Sequence, residues 1–104
     1  MIIRLFDSKI EKFIESLEPA VAAKTLRTID LLETFGNQLG LPHSKKIGDH
    51  LFELRVRGKE EVRIIYTFHG GGAVLLHGFI KKSRRIPPKV MALARQKLGT
   101  LDEA

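Results

Sequence analysis

Three strand-like runs separated by short turns fill much of the second half of the sequence and most constrain its fold. They read LFELRVR at 51–57, EVRIIYTF at 61–68 and AVLLHGFI at 73–80. Gly58 lies in the first connection and the string HGGG in the second, which is typical of hairpin turns. Connections this short join neighbouring antiparallel strands, so the sequence predicts a three-strand antiparallel meander. We interpret HGGG as a hairpin loop and not an oxyanion loop, because no nucleophile elbow accompanies it.

Helical patterns flank this meander. A strand-like run at 2–6 is followed by two helices joined around Glu18, and the first begins with Ser8 and Glu11, the spacing of a capping box. Apolar residues then recur every three or four positions, which indicates one buried helical face. The segment 40–50 breaks this period and is predicted to be a loop. The predicted helix boundaries are Ser8, Pro19, Gly36 or Gly40, Pro87 or Pro88, and Gly99.

The order strand, helix, helix, three strands, helix predicts an α+β fold. We expect the N-terminal strand and the helical hairpin to pack on an antiparallel sheet, which the meander and the first strand form together. A short C-terminal helix completes the fold, and all helices are expected on one face of the sheet. A chain of 104 residues forms one core, so we predict a single domain over residues 1–104.

Composition narrows the possible partners and the compartment. The net charge of +6 favours a polyanionic partner, either nucleic acid or an acidic protein. The absence of cysteine excludes a disulfide framework, a thiolate zinc site and a thiol nucleophile. Asp7 and Glu11 fall where an export signal needs an apolar stretch, and no apolar run approaches the roughly 20 residues of a membrane span. We therefore expect a cytoplasmic protein.

Side-chain alternation along the first two strands of the meander separates an apolar face from a charged one. A three-residue loop, 58–60, would pair Arg57 with Glu61 and Arg55 with Arg63 on the charged face. Like charges directly opposite each other destabilise a hairpin by up to about 1 kcal/mol, so they persist more readily where an anion binds between them. Two solvated arginines that splay apart are the alternative. The predicted apolar face consists of Phe52, Leu54, Val56, Val62, Ile64, Tyr66 and Phe68.

The third strand allows two registers, which differ in where they place a histidine. We prefer the register in which Val74, Leu76 and Ile80 face the helices, because the reverse would bury His77 and point Lys81 at the core. The charged face then also carries Leu75, His77, Phe79 and Lys81. A hydrogen-bonded structural histidine is the alternative to a catalytic one at this position.

A face that carries Arg55, Arg63, His77 and Lys81 has the chemistry to bind a phosphodiester. Guanidinium groups donate to phosphate oxygens, and an imidazole titrates near neutral pH. The four histidines lack metal-ligand spacing, so we predict neither a metal nor a cofactor. RNA supplies its own nucleophile, the 2′-hydroxyl, so a protein that cleaves it needs only a proton acceptor, a proton donor and cations.

Three motifs resemble those of a toxin family. FELR at 52–55, GKEEVRIIY at 58–66 and LLHGFIKKSRRIP at 75–87 are similar to the HigB-like, phage-derived branch of the RelE/ParE toxin superfamily. The similarity extends from about Ile2 to Leu98. It implies a RelE-like fold and the toxin of a type II toxin-antitoxin system, an mRNA interferase (endoribonuclease) that acts on the translating ribosome. Its partner would be a small antitoxin, often with a helix-turn-helix domain.

The resemblance also assigns roles to residues. Arg55 of the ELR motif, Arg63 of the next strand, and the paired Lys81 and Lys82 would bind and orient the RNA phosphates, and one of them or His77 would transfer the proton. The expected RNA-binding residues are Lys45, Lys46, Arg57, Phe79, Arg84 and Arg85. RelE-type toxins often stack a C-terminal tyrosine on a base, whereas this chain ends in GTLDEA and offers Phe79 as the available aromatic residue. A ParE-like inhibitor of DNA gyrase and a non-catalytic RNA- or protein-binding module are the alternatives.

Overall fold

The predicted meander forms the centre of a five-stranded mixed sheet. This computed structural model describes residues 1–102. Its strands are β1 (Ile3–Leu5), β2 (Ser44–Gly48), β3 (Leu51–Val56), β4 (Val62–His69) and β5 (Gly72–Ile80). Its helices are α1 (Ser8–Ser16), α2 (Pro19–Phe35) and α3 (Pro88–Asp102), with a short 3-10 helix at Gly36–Gln38. The order across the sheet is β1-β5-β4-β3-β2, with β1 parallel to β5 and the other pairs antiparallel. The predicted α+β class is confirmed.

The helical hairpin packs on one face of this sheet. On that face Ile10 of α1 and Leu32 of α2 are buried against Leu54 and Ile64 of the meander. The predicted cap of α1 was wrong by one residue, because Asp7 accepts the hydrogen bond from the Lys9 backbone N–H at 3.0 Å. Ser8 is already the first helical residue, whereas Pro19 occupies the first turn of α2 as predicted.

Helix α3 packs on the opposite face, so the expectation that all helices share one face was wrong. Ala94 of α3 is buried against Leu51, Ile65 and Leu76, an apolar patch that would otherwise face water. The helix also continues past its predicted end at Gly99 to Asp102, because a single glycine costs a helix only about 1 kcal/mol. None of the helices in residues 1–102 is long and apolar enough to cross a membrane.

The pairing of β3 with β4 is the predicted one. Leu54 lies opposite Ile64 and Arg55 lies opposite Arg63. The HGGG string forms the turn between β4 and β5, where Gly70 and Gly71 have φ angles of +60° and +77°. These angles lie in the left-handed region, which glycine adopts without a steric penalty.

A β-bulge in β5 changes the predicted register of its first half. Leu75 pairs with Tyr66 and His77 pairs with Ile65, so Leu76 is an extra residue without a direct partner. An extra residue inverts the alternation of side chains between the two faces of the sheet. The bulge therefore separates β5 into two halves with different facing.

The predicted facing of β5 was consequently wrong before the bulge and right after it. Leu75 packs with the helical hairpin, whereas Val74 and Leu76 pack with α3, the reverse of the prediction. Ile80 faces the helical hairpin and Phe79 faces the α3 side, as predicted. Because the run from Gly72 to Leu76 is buried on both faces, its sequence carries no polar alternation that would reveal the bulge.

The predicted loop at 40–50 contains the edge strand β2. Ser44 pairs with Leu54 of β3, and its hydroxyl lies 2.5 Å from the Tyr66 hydroxyl in the core. Lys45 and Lys46 are exposed on this edge, and the register shifts between Lys46 and Gly48. Lysines and irregular pairing at a sheet edge oppose the addition of further strands.

Candidate nucleic-acid interface

A cleft lined by cations opens where β3, β4 and β5 approach the segment that leads to α3. Its volume is about 450 Å³, within the range of small-ligand sites. We call it the basic cleft, and its lining residues are Arg55, Arg57, Glu61, Arg63, Lys81, Lys82, Ser83 and Arg84. Six of these eight side chains are cationic and one is acidic, so the cleft attracts anions.

The directly opposed Arg55 and Arg63 share a protein carboxylate. Glu53 lies on the same face of β3 and is only 3% exposed. Its Oε1 is 3.6 Å from Arg55 Nε, and its Oε2 is 3.9 Å from Arg63 Nε. The sequence predicted that an anion binds between the two arginines, and the Glu53 carboxylate of the protein itself occupies that role on the buried side of the pair. Within residues 1–102, Glu53 Oε2, Arg55 Nε and Arg63 Nε are buried without a hydrogen-bond partner.

Glu61 is the second carboxylate of the basic cleft, and it joins two arginines. Its Oε1 accepts a hydrogen bond from an Arg63 terminal nitrogen at 3.0 Å and lies 3.4 Å from Arg57 Nε. The hydrogen bond from Arg63 holds the pKa of the Glu61 carboxyl below its ordinary value of 4.5. Glu61 is therefore ionised at neutral pH, and it offsets part of the charge of both arginines.

Arg63 is the most deeply buried cation of the basic cleft, with 3% of its surface exposed. It also donates a hydrogen bond to the Val62 carbonyl oxygen at 3.0 Å. Held by these contacts, Arg63 has little freedom to move toward a ligand. The other cations are more accessible: Arg57, Lys82 and Arg84 are exposed, while Arg55 and Lys81 are partly buried.

The histidine predicted for this site lies elsewhere. His77 lines a separate cavity of about 330 Å³, which we call the His77 cavity and which is lined by Lys9, Ile10, Phe13, His77, Gly78, Leu93 and Lys97. The partial burial of the imidazole, followed by the charge of Lys97, lowers its pKa below the ordinary 6.5. His77 is therefore neutral at pH 7. The structure does not bring it together with the residues that line the basic cleft.

Only some of the predicted RNA-binding residues line the basic cleft. Arg57 and Arg84 line the basic cleft, whereas Arg85 is exposed on the segment beside it. Lys45 pairs with Glu53 and shares its face, while Lys46 pairs with Phe52 and points to the opposite face of the sheet. Neither lysine lines the cleft. Phe79 lies directly across from Arg63 and stacks on His77, with ring centroids 6.1 Å apart.

Comparison with known proteins identifies the family. The family model described as phage derived protein Gp49-like (DUF891) matches residues 12–99. The chain belongs to this family. The Gp49-like family is a RelE-like toxin family, so the resemblance of this sequence to RelE-like toxins is confirmed. Its assignment to the HigB-like branch stays a prediction. No curated protein matches the chain.

Two residues that shape these sites in this Gp49-like chain, Glu53 and Lys97, were not predicted from the sequence. Glu53 precedes Arg55 by two residues and so shares its face, and this spacing could have revealed it as the buried counterion. Lys97 follows Leu93 by four residues, which places it on the same face of α3. It is 8% exposed, and its ammonium donates to the Leu76 carbonyl at 2.7 Å. Among residues 1–102, no group of three or more His, Asp or Glu side chains could hold a metal ion.

Proposed function

We propose that this Gp49-like protein is the toxin of a type II toxin-antitoxin system and a ribosome-dependent mRNA endoribonuclease that needs no metal. The basic cleft is the observation that supports this proposal. Its six cations surround a space of about 450 Å³ on a chain of a RelE-like family. Clustered arginine and lysine side chains bind phosphate oxygens and stabilise charge that develops on a phosphate during cleavage.

The proposed reaction is an in-line attack by the RNA 2′-hydroxyl on the adjacent phosphate. The bond from the 2′-oxygen to phosphorus forms as the bond to the 5′-oxygen breaks, and the 2′-hydroxyl proton passes to a base while an acid protonates the leaving oxygen. The products are a cyclic 2′,3′-phosphate and a free 5′-hydroxyl. Arg55 and Arg57 would neutralise the nonbridging oxygens.

The positions of the side chains refine the roles that the sequence suggested. Arg63 would position Arg55, Arg57 and the cleft wall, because its own guanidinium is buried and bound to Glu61. His77 lies in another cavity, so proton transfer would fall to Lys81, to Lys82 or to a group of the ribosome. We propose mRNA on the ribosome as substrate, a small helix-turn-helix antitoxin as partner and the cytoplasm as location.

The decisive experiment is to induce the protein in growing cells and map new 5′ ends on mRNA. The proposal predicts growth arrest with new 5′-hydroxyl ends. The Lys82→Ala variant should reduce them, whereas Lys59→Ala should not, because the exposed Lys59 pairs with Glu18 and does not line the cleft. Growth arrest with intact transcripts and accumulated DNA breaks would instead indicate a ParE-like action on gyrase.

A second candidate, a non-catalytic RNA-binding module, is favoured by one observation. No histidine lines the basic cleft in the described part of the chain, and its two inner arginines are already paired with Glu53 and Glu61. Such a module would bind phosphates without transferring protons. Unchanged growth on induction, together with salt-dependent binding of RNA by the purified protein, would support this candidate.

A further inference from the structure

The His77 cavity lies beside the second half of β5, which pairs with β4 on one side but has no strand on the β1 side. β1 ends at Leu5, opposite Leu75, and the last backbone hydrogen bond between them runs from the Phe6 N–H to the Leu75 carbonyl at 2.9 Å. Beyond this point α1 and α3 flank the free edge of β5 and enclose the cavity. Gly78 lets α1 approach closely, since a Cβ there would lie 2.5 Å from the Phe13 ring. The early end of β1 and the close approach of α1 at Gly78 therefore define the cavity.

The cavity combines apolar walls with accessible hydrogen-bonding groups. Ile10, Phe13 and Leu93 supply the apolar surface. Lys9 is exposed and His77 is partly buried, and both line the cavity, so their polar atoms are accessible to a ligand. The neutral imidazole offers one donor and one acceptor, while Lys9 offers three donors. A planar, partly apolar ligand with acceptor atoms at its edge matches this set.

An aromatic pair connects the cavity to the basic cleft. Phe79 lies directly across from Arg63, which lines the cleft, and it stacks on His77, which lines the cavity. The two rings are inclined by only 19°. Lys81 directly follows β5 and is four residues from His77, a span of about 13 Å at roughly 3.3 Å per residue. A single RNA strand whose phosphate is bound in the cleft can place a neighbouring base in the cavity.

We infer that the His77 cavity is a specificity subsite that binds a guanine base next to the cleaved phosphate. This inference rests on the proposed RNA-binding function and assigns His77 to base recognition instead of proton transfer. Aromatic and apolar side chains bind bases of single-stranded RNA by stacking on their faces. Guanine is the base whose O6 and N7 are adjacent acceptors, which lysine donors bind preferentially, whereas adenine presents an amino donor in place of O6.

Binding to RNA that cannot be cut tests the subsite separately from catalysis. The probes are fluorescein-labelled 2′-O-methyl hexauridines with one central residue changed to guanine, adenine or cytosine, and the measurement is anisotropy titration at fixed salt. The wild-type protein should bind the guanine probe about fivefold more tightly than the adenine probe, the effect of one net hydrogen bond. Both the His77→Ala and the Lys9→Ala variant should lose this preference.

Lys12→Ala is the matched control for Lys9→Ala, because both lysines are exposed on α1 but only Lys9 lines the cavity. The control should keep the guanine preference and should bind unsubstituted hexauridine within about twofold of wild type. Equal affinity of the wild-type protein for all probes would overturn the subsite, as would a preference that survives both cavity substitutions. A guanine preference without any cleavage of mRNA would overturn the proposed nuclease and leave the subsite standing.

Discussion

The His77 cavity lies beside β5 and the basic cleft lies just past the end of that strand, but the two accommodate ionisable groups in different ways. In the cleft, carboxylate oxygens of Glu53 and Glu61 lie within 4 Å of Arg63 nitrogens, so the burial of Arg63 is compensated by opposite charge. In the cavity, burial is the larger influence on His77, and it favours the neutral imidazole. The cleft therefore keeps its charge at neutral pH, while the cavity offers a neutral hydrogen-bonding group.

The largest difference should come from removing the buried cation of the cleft. Arg63→Ala leaves the buried Glu53 without one of its two arginines, and breaking a buried ion pair costs about 3–5 kcal/mol of unfolding free energy. Urea denaturation of the purified protein measures this loss. Loss of the buried methylene groups of the Arg63 side chain adds to this cost.

Arg84→Ala is the control for this substitution. Arg84 lines the same cleft but is exposed, so its removal should change the unfolding free energy by less than about 0.5 kcal/mol. Equal effects of the two substitutions would mean that the ion pairs of Arg63 contribute nothing to stability. The cleft would then be no more than a set of surface charges.

The β3–β4 hairpin shows why part of the cleft was predictable from sequence. Its polar and apolar residues alternate strictly, which fixes the register and therefore the opposition of Arg55 and Arg63. The sequence did not reveal that Arg63 is buried or that both arginines lie within 4 Å of the Glu53 carboxylate. The cleft is completed by residues 81–84, and the sequence did not predict that α3, which follows them, packs on this second face of the sheet.

The cavity was not predictable, because it depends on a bulge and on the length of β1. Strand β1 has only three residues, so it leaves the second half of β5 uncovered. The bulge at Leu76 falls in a run that is buried on both faces, where either register would place apolar side chains on both faces of the sheet. Hydrophobic patterns fix the register of a strand only where one of its faces is polar. The residues that surround His77 could therefore not be predicted from the sequence.

The second prediction concerns the packing that encloses the cavity. A methyl group at position 78 would meet the Phe13 ring at 2.5 Å, so Gly78→Ala should push α1 away from β5. Overpacking of this kind costs about 1–3 kcal/mol. Gly99→Ala in α3 is the matched control: nothing lies within 4 Å of its new Cβ, and we expect a gain of about 0.5–1 kcal/mol. Urea denaturation of both variants decides this, and a stabilised Gly78→Ala variant would contradict the enclosure.

The third prediction addresses the counterion of the cleft. Glu53→Gln replaces contacts with charged arginines by neutral ones, which should lower the unfolding free energy by about 1 kcal/mol. The same change removes a negative charge beneath the cleft, so RNA binding should strengthen at low salt and converge with wild type at high salt. Anisotropy titrations at two salt concentrations measure this effect. Weaker RNA binding by a folded Glu53→Gln variant would show that Glu53 orients the arginines more than it neutralises them.

The smallest expected effects concern the pH dependence of folding stability, which should differ between the His77 cavity and the basic cleft. The folded-state pKa of His77 lies below its ordinary 6.5, so the contribution of neutral His77 is fully present above pH 6.5 and is lost as pH falls through the lowered pKa. The folded-state pKa of Glu61 lies below its ordinary 4.5, because Arg63 donates to the ionised carboxylate. Its contribution is present above pH 4.5 and is lost at a lower pH than that of His77. Stability therefore declines first through the cavity and then through the cleft.

Urea denaturation of wild type and two variants, from about pH 8 to about pH 3, resolves these steps. His77→Gln should flatten the decline that begins below pH 6.5 and leave the more acidic one intact. Glu61→Gln should do the reverse, since it removes only the carboxylate that Arg63 and Arg57 hold. If His77→Gln changed only the acidic step, the imidazole would be coupled to the carboxylates of the cleft, and the two regions would form one electrostatic unit.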